Sequence, residues 1–289
     1  DFCLSRGLGD VYKRQGEPKY SPYDGIDWDN LVHEAVKLFH ELGMKTSDKI
    51  ANCFLAGNLY GSFVSFDHIN NALGAQSYAF GAHVESSFVA KVWRDFKFNV
   101  IQGLPVNVIN HLRYLKENVE GFQIEKVYYA GSPMSESDKE WIRNELGVKV
   151  ISSIIGANDG GQFAFQCDSL SKNFHHTIDE FNYVEIVDEK GNQVPVGVEG
   201  KILITSLMKF SYPLIRYEIG DKGRFMDMKC ACGSTRRVYE HLGRCDDVLL
   251  VGNMNFKVQD IKIALEKYPV SAIQIKIGSH LGKETLHLQ

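Results

Sequence analysis

From Asp27 to about Ser153 the apolar positions switch repeatedly between a helical and a strand period, the pattern of a parallel sheet covered by helices. Asp29 to Leu42 sets Leu31, Val32, Ala35, Val36, Leu38 and Phe39 on one helical side, and Gly43 follows as a stop. Further helices are predicted over Ser62 to Leu73, Val84 to Phe96 and about Val106 to Glu117. Strands are predicted for KIANCFL from Lys49, for Gln76 to Phe80, for Val100 to Gln102 and for Lys126 to Ala130. Ser135 with Asp138 has the form of a capping box opening a helix to Leu146, and Val148 to Ser153 reads as a buried strand. After Asp179 the texture becomes short alternating runs punctuated by Gly and Asp: NYVEIV, the turn DEKGNQ, GKILITS and PLIRYEI. A further boundary is expected near Arg244 to Asp247, with a helix over Asp260 to Lys267 and a strand over Ala272 to Ile277 beyond it. The predicted class is α/β: a parallel sheet with covering helices over 16–178, a β-rich part over 179–243, and the start of a small α+β domain over 244–289.

Composition narrows the functional classes. The 289 residues carry a net charge of -4 without a long run of one sign, which argues against a nucleic-acid groove or a polybasic membrane patch. No apolar run reaches the ~20 residues needed to cross a bilayer, and nothing reads as a secretion signal, so a cytoplasmic protein is the default. Six cysteines in such a chain, two of them spaced Cys-x-Cys, look like free thiols with a metal site rather than a disulfide framework.

Five short strings follow one another: GEPK at Gly16 to Lys19, AGSP at Ala130 to Pro133, IGAND at Ile155 to Asp159, RYEIGD at Arg216 to Asp221, and GRCDD at Gly243 to Asp247. Singly, such strings also read as a turn or a tight connection. AGSP, however, ends the strand KVYYA, at the carboxyl end where open α/β sheets collect ligands. In this order and on these elements the strings resemble the adenylate-forming enzymes, specifically their phenylacetate-CoA ligase-like branch, over essentially all of Gly16 to Gln289. The resemblance implies that ATP and a small carboxylic acid give an acyl adenylate and pyrophosphate, after which the thiol of CoA displaces AMP.

It also implies roles. Gly16 and Lys19 end a Gly-, Ser- and Thr-rich loop whose N–H groups cradle phosphates. Ala130, Gly131 and Ser132 form the adenine-side loop, with Asn158 near the nucleotide and Asp159 holding Mg²⁺ against the triphosphate. Two departures bear on that motif: Ile155 replaces an aromatic that stacks on adenine, and Asp159 is one methylene shorter than the usual Glu. Asp221 accepts from both ribose hydroxyls, Arg244 contacts ribose or phosphate as a fixed cation, and Asp246 is a hinge. Tyr60, Phe63 and Phe66 either line the acyl pocket or belong to the core. A glycine near CoA is replaced by Asn253, a mark toward an amine or protein as acyl acceptor.

Cys167, the pair His175 and His176, and Cys230 with Cys232 form a set capable of tetrahedral coordination, and some proteins of the resembled branch have a similar one. Three Cys and either His leave no open position, so a structural zinc is expected; the alternative is small buried thiols and a solvent-facing His pair. Finally, Ser5 to Gln15 (SRGLGDVYKRQ) resembles a translated transposon adapter of sequencing libraries, which would make 1–15 foreign. A disordered natural tail is the other reading. With the front of the phosphate loop replaced and the resembled family's C-terminal lysine not found before Gln289, both ends are expected to be truncated and the chain alone inactive as a ligase. The readings carried forward are an acid-CoA ligase, an acyl adenylate donor to an amine or protein, and a non-catalytic, zinc-stabilised nucleotide-binding module.

Overall fold

The computed structural model describes residues 21–57, 61–157, 159–245, 248–251, 254–257, 261, 264–265, 275–280 and 283–288. Its first half alternates helix and strand: α1 (Gly25–Glu41), β1 (Lys49–Cys53), α2 (Ser62–Ala72), β2 (Gln76–Ala79), α3 (Ser86–Phe96), β3 (Val100–Gly103), α4 (Pro105–Asn118), β4 (Lys126–Ala130), α5 (Glu136–Leu146) and β5 (Val150–Ala157). The chain then runs through β6 (Gly161–Phe165), β7 (Phe174–Thr177), β8 (Asn182–Val187), β9 (Gly200–Ser206), β10 (Tyr217–Met226) and β11 (Val238–Arg244). Two separate two-stranded ladders follow, β12 (Val248–Val251) with β13 (Met254–Lys257), and β14 (Ile275–His280) with β15 (Lys283–Leu288).

One 11-stranded sheet, in the order β2-β1-β3-β4-β5-β6-β7-β11-β10-β9-β8, joins everything from Lys49 to Arg244, so strands from both sides of residue 179 share it. Strands β2 to β5 pair in parallel, and the direction changes where β5 meets β6. Alternation along the parallel strands sorts the core into two faces. Ile50, Val100, Tyr128 and Ile154 pack with α1 and α2, whereas Ala51, Ile101, Val127 and Ile151 pack with α3, α4 and α5. A third cluster, including Phe163, Val184, Ile204 and Tyr239, fills the antiparallel half.

Most expected elements are present, and the differences have local causes. Helix α1 starts earlier than Asp29 because the Asp24 carboxylate caps it, accepting from the N–H of Asp27 at 2.8 Å. Ser135 caps α5 as the sequence suggested, accepting from the N–H of Asp138 at 3.1 Å. PLIR is not strand: Arg216 adopts φ 49°, a left-handed conformation that keeps it out of a ladder, and β10 begins at Tyr217. Strand β5 runs on to Ala157 because β6 pairs with its end, and β6, β7 and β11 are additional to the expected set. The helix expected over Asp260 to Lys267 lies mostly outside the described residues.

At the amino ends of the strands a buried ion pair ties the sheet together. The Lys126 ammonium, at the start of β4, donates to Asp48 at 2.5 Å; Asp48 also accepts from the Lys45 N–H at 2.8 Å and from the Asn99 amide at 2.9 Å. Removing one partner leaves the other charge buried and unpaired, which costs far more than the pair is worth. We expect Asp48→Ala to lower the unfolding free energy by about 3–5 kcal/mol in urea denaturation; a loss below ~1 kcal/mol would place this pair in the weak class of exposed ion pairs instead.

Candidate active site and metal centre

Two of the five strings, AGSP and IGAND, end the neighbouring strands β4 and β5, and a third, RYEIGD, reaches IGAND through Tyr217. Ala130 closes β4, and Gly131 and Ser132 stand exposed beyond it. Gly131 is required twice over: its φ is 89°, and a Cβ there would fall 2.7 Å from Leu104 Cδ2. Asp159, just past β5, is held by Tyr217 of the RYEIGD string, whose hydroxyl donates to Asp159 Oδ2 at 2.7 Å. Its backbone carbonyl accepts from the Ser21 hydroxyl and from the Lys209 ammonium, each at 2.9 Å.

Lys209 is a feature that sequence reasoning missed. It is buried, contacts Ser21 Oγ as well, and lies 3.9 Å from the centroid of the Tyr23 ring. Burial pushes its pKa down to about 8, although the carboxylates of Asp27 and Asp159 pull the other way. Asp27 in turn fixes the neighbouring backbone, accepting from the N–H of Phe210 at 2.6 Å and of Ser211 at 3.2 Å. A lone lysine in the apolar run SLMKFSYPL is the only signal in the sequence.

Asp221 lies on β10 opposite Arg244 of β11, and its Oδ1 accepts from Arg244 Nη1 at 3.1 Å. His241, also missed in the sequence, donates through Nε2 to Asp221 Oδ2 at 3.2 Å. The carboxylate is largely shielded, with 13% of its side-chain surface exposed. Ile155 packs against the third core cluster. Gly16, Lys19, Tyr60, Asn158, Asp246 and Asn253 lie outside the described residues. Of the aromatic stripe, Phe66 is core: it is 5% exposed and stacks on Phe54 with centroids 4.0 Å apart. Phe63 is half-buried, and its carbonyl accepts from the Asn52 amide at 3.2 Å.

The metal set is brought together with one correction. One ligand atom from each of Cys167, His176, Cys230 and Cys232 lies within 4.8 Å of the others. His176 Nε2 stands 3.5 Å from Cys167 Sγ and 3.4 Å from Cys232 Sγ, and the Cys167 and Cys230 sulfurs are 3.5 Å apart. His175 is not among them. Neighbours on a strand face opposite ways, so β7 sends His176 to the sulfurs and His175 to the other side of the sheet. There His175 Nε2 meets the Ser153 hydroxyl at 3.0 Å, its Nδ1 meets the Asn173 carbonyl at 2.9 Å, and burial drives its pKa down to about 3.

Comparison with known proteins gives the fold. No protein-family model matches the chain. Its fold overlays on 2-hydroxyisobutyryl-CoA ligase in the postadenylation state, in complex with 2-HIB-AMP, with a TM-score of 0.79 at 19% identity, over 95% of this chain and 61% of that one. The chain therefore has the adenylate-forming enzyme fold. Among curated proteins its sequence is similar to phenylacetate-CoA ligases and to an indoleacetate–lysine synthetase. It is 25% identical over 286 residues to the phenylacetate-coenzyme A ligase of Escherichia coli K12, which covers 95% of this chain and 64% of that protein. It is 28% identical over 184 residues to the indoleacetate–lysine synthetase of Pseudomonas savastanoi, covering 60% of this chain and 42% of that protein. The chain thus spans less than two thirds of the length of these relatives.

The depressed lysine is directly measurable. Because folding lowers this pKa, the native state is the more deprotonated one from about pH 8 up to the ordinary lysine value of ~10.4, and this group's contribution to stability rises with pH across that window. In ¹³C-lysine NMR one side-chain resonance should titrate near pH 8 and vanish in Lys209→Met; titration of every lysine above pH ~10 would contradict the burial of this ammonium.

Proposed function

We propose that the chain carries the nucleotide-binding part of an AMP-forming acid-CoA ligase, one that activates a small carboxylic acid as its acyl adenylate and passes it to CoA. What supports this reading is that the AGSP loop, Asp159 and the Asp221–Arg244 pair lie on or beside strands of one sheet, each group chemically suited to a part of ATP. Asp221 is a shielded carboxylate with lone pairs to spare, suited to ribose hydroxyls. Arg244, always charged and held by Asp221 and by the Ile219 carbonyl, is a fixed cation suited to ribose or phosphate. Asp159 would supply a hard oxygen to Mg²⁺, with Tyr217 holding its carboxylate and Ser21 and Lys209 holding its backbone carbonyl. Bound Mg²⁺ would neutralise the triphosphate charge. Catalysis on such a scaffold is electrostatic and positional: adenylation transfers negative charge to pyrophosphate, and fixed donors stabilise it without reorganising. Among the described residues no helix is long and apolar enough to cross a membrane, and the use of ATP and CoA makes the cytoplasm the compartment this reading calls for.

The acceptor has a second reading. A relative at 28% identity is named indoleacetate–lysine synthetase, which supports an amine as the alternative to the thiol that attacks the adenylate. Acid-dependent pyrophosphate release, assayed on the chain extended to its relatives' full length with aromatic and aliphatic acids, tests the activation step. Adding CoA or lysine then separates the acceptors. No pyrophosphate with any acid would leave the nucleotide-binding module as the reading.

We also propose that Cys167, His176, Cys230 and Cys232 hold a structural Zn²⁺. The fit rests on the donor set and its spacing: a tetrahedron with Zn–S of ~2.3 Å has sulfurs about 3.8 Å apart, close to the separations seen. Zinc would supply folding energy here and no chemistry, since no coordination position stays open.

Two outcomes follow from these assignments. Asp221→Ala should weaken ATP binding by ~1.5–3 kcal/mol in titration calorimetry, the worth of a hydrogen bond to a charged acceptor; unchanged affinity would remove Asp221 from the site. Elemental analysis of protein purified without chelators should find about one zinc per chain, lost in Cys230→Ser or Cys232→Ser with a lowered melting temperature, and kept in His175→Ala. Metal-free protein would rule the centre out.

A further inference from the structure

We propose that His241 is a positioning residue for ribose recognition: it and Arg244 fix the Asp221 carboxylate so that each of its oxygens keeps one lone pair for one hydroxyl of a ribonucleotide's cis-diol. The proposal rests on the reading of Asp221 as the ribose acceptor and goes beyond it in naming what orients that acceptor.

The argument starts from strand geometry. His241 and Arg244 are three residues apart on β11, and on an unbroken strand residues three apart face opposite sides. Here the register shifts. Asp221 pairs with Arg244 but Gly223 pairs with His241, so two steps along β10 span three along β11. The extra residue is a bulge, the device by which a strand re-aims a side chain. It brings His241 and Arg244 together against the same carboxylate, one on each oxygen, at 3.2 and 3.1 Å. Gly223 is part of the device: a Cβ there would fall 2.9 Å from the Glu240 carbonyl, so the close approach of the two backbones depends on glycine.

The arithmetic of acceptors then constrains the ligand. An ionised carboxylate offers about four lone-pair sites. One donor on each oxygen leaves the outer site of each, and two adjacent hydroxyls match two such sites. With His241 gone, Oδ2 loses its anchor and the carboxylate is free to rotate about its own bond while Arg244 holds Oδ1. The loss falls on discrimination for the intact diol rather than on binding of the nucleotide as a whole.

The test compares the affinity of the chain for AMP, 2′-deoxyAMP and 3′-deoxyAMP by titration calorimetry in wild type, His241→Leu, His241→Gln and Asp221→Ala. Wild type should prefer AMP over each deoxynucleotide by ~10-fold or more, the worth of a hydrogen bond to a charged acceptor. His241→Leu should bring at least one of those ratios to within ~3-fold of unity, and His241→Gln, which keeps an N–H donor, should restore it. A purely structural role would weaken all three nucleotides alike and leave the ratios where they were, and that result overturns the proposal. If Asp221→Ala collapses the ratios while His241→Leu does not, His241 has no positioning role although Asp221 remains the ribose acceptor. If Asp221→Ala leaves AMP affinity and both ratios unchanged, the reading of Asp221 fails and the proposal fails with it.

Discussion

Everything in the candidate site depends on the antiparallel pairing of β5 with β6, where one sheet changes direction. Up to β5 the strands are parallel, and their carboxyl ends line up because each pairs in register with the next. After β5 the same ladder of hydrogen bonds continues into a set of antiparallel strands that brings back segments from far along the chain. The consequence is that Asp159, following the last parallel strand, meets Tyr217 and Lys209, 58 and 50 residues on. Had the two halves formed separate sheets, no ladder would hold the two carboxylates, Asp159 and Asp221, in a fixed relation.

Beside that junction, β7 carries two histidines with opposite duties. His176 faces the sulfurs of Cys167, Cys230 and Cys232, while His175 reaches Ser153 on β5. Since β7 pairs directly with β11, the strand that bears His241 and Arg244, a metal held by His176 would brace the neighbour of that strand. Binding energy of a structural metal is folding energy, and here it would be spent two strands away from Asp221.

What could be read from the sequence follows from which interactions are local. The helices and parallel strands of the first half announce themselves because each buries one face against a single sheet, which imposes a clean period on the residues; Ser135 and its cap at Asp138 are legible for the same reason. Strands β6, β7 and β11 are short, and their composition (GQFAF, FHHT, VYEHLGR) mixes polar groups whose burial depends on partners elsewhere in the chain. Without β7 in view, the alternation that separates His175 from His176 could not be applied. The cysteines and the two histidines were recognisable as a donor set, since metal ligands are scarce residue types, and so were Asp159, Asp221 and Arg244 within short strings. Lys209 and His241 were not: Lys209 is defined by Ser21, 188 residues away, and His241 by a bulge that no local pattern encodes.

The central claim is that these strings form one adenine-ribonucleotide site on a continuous sheet. A crystal structure of the chain with AMP tests it most directly. The account predicts both ribose hydroxyls on Asp221 and the adenine against Ala130 to Ser132. A nucleotide bound elsewhere on the surface, or a ribose turned away from Asp221 with the base off the β4 loop, would contradict it.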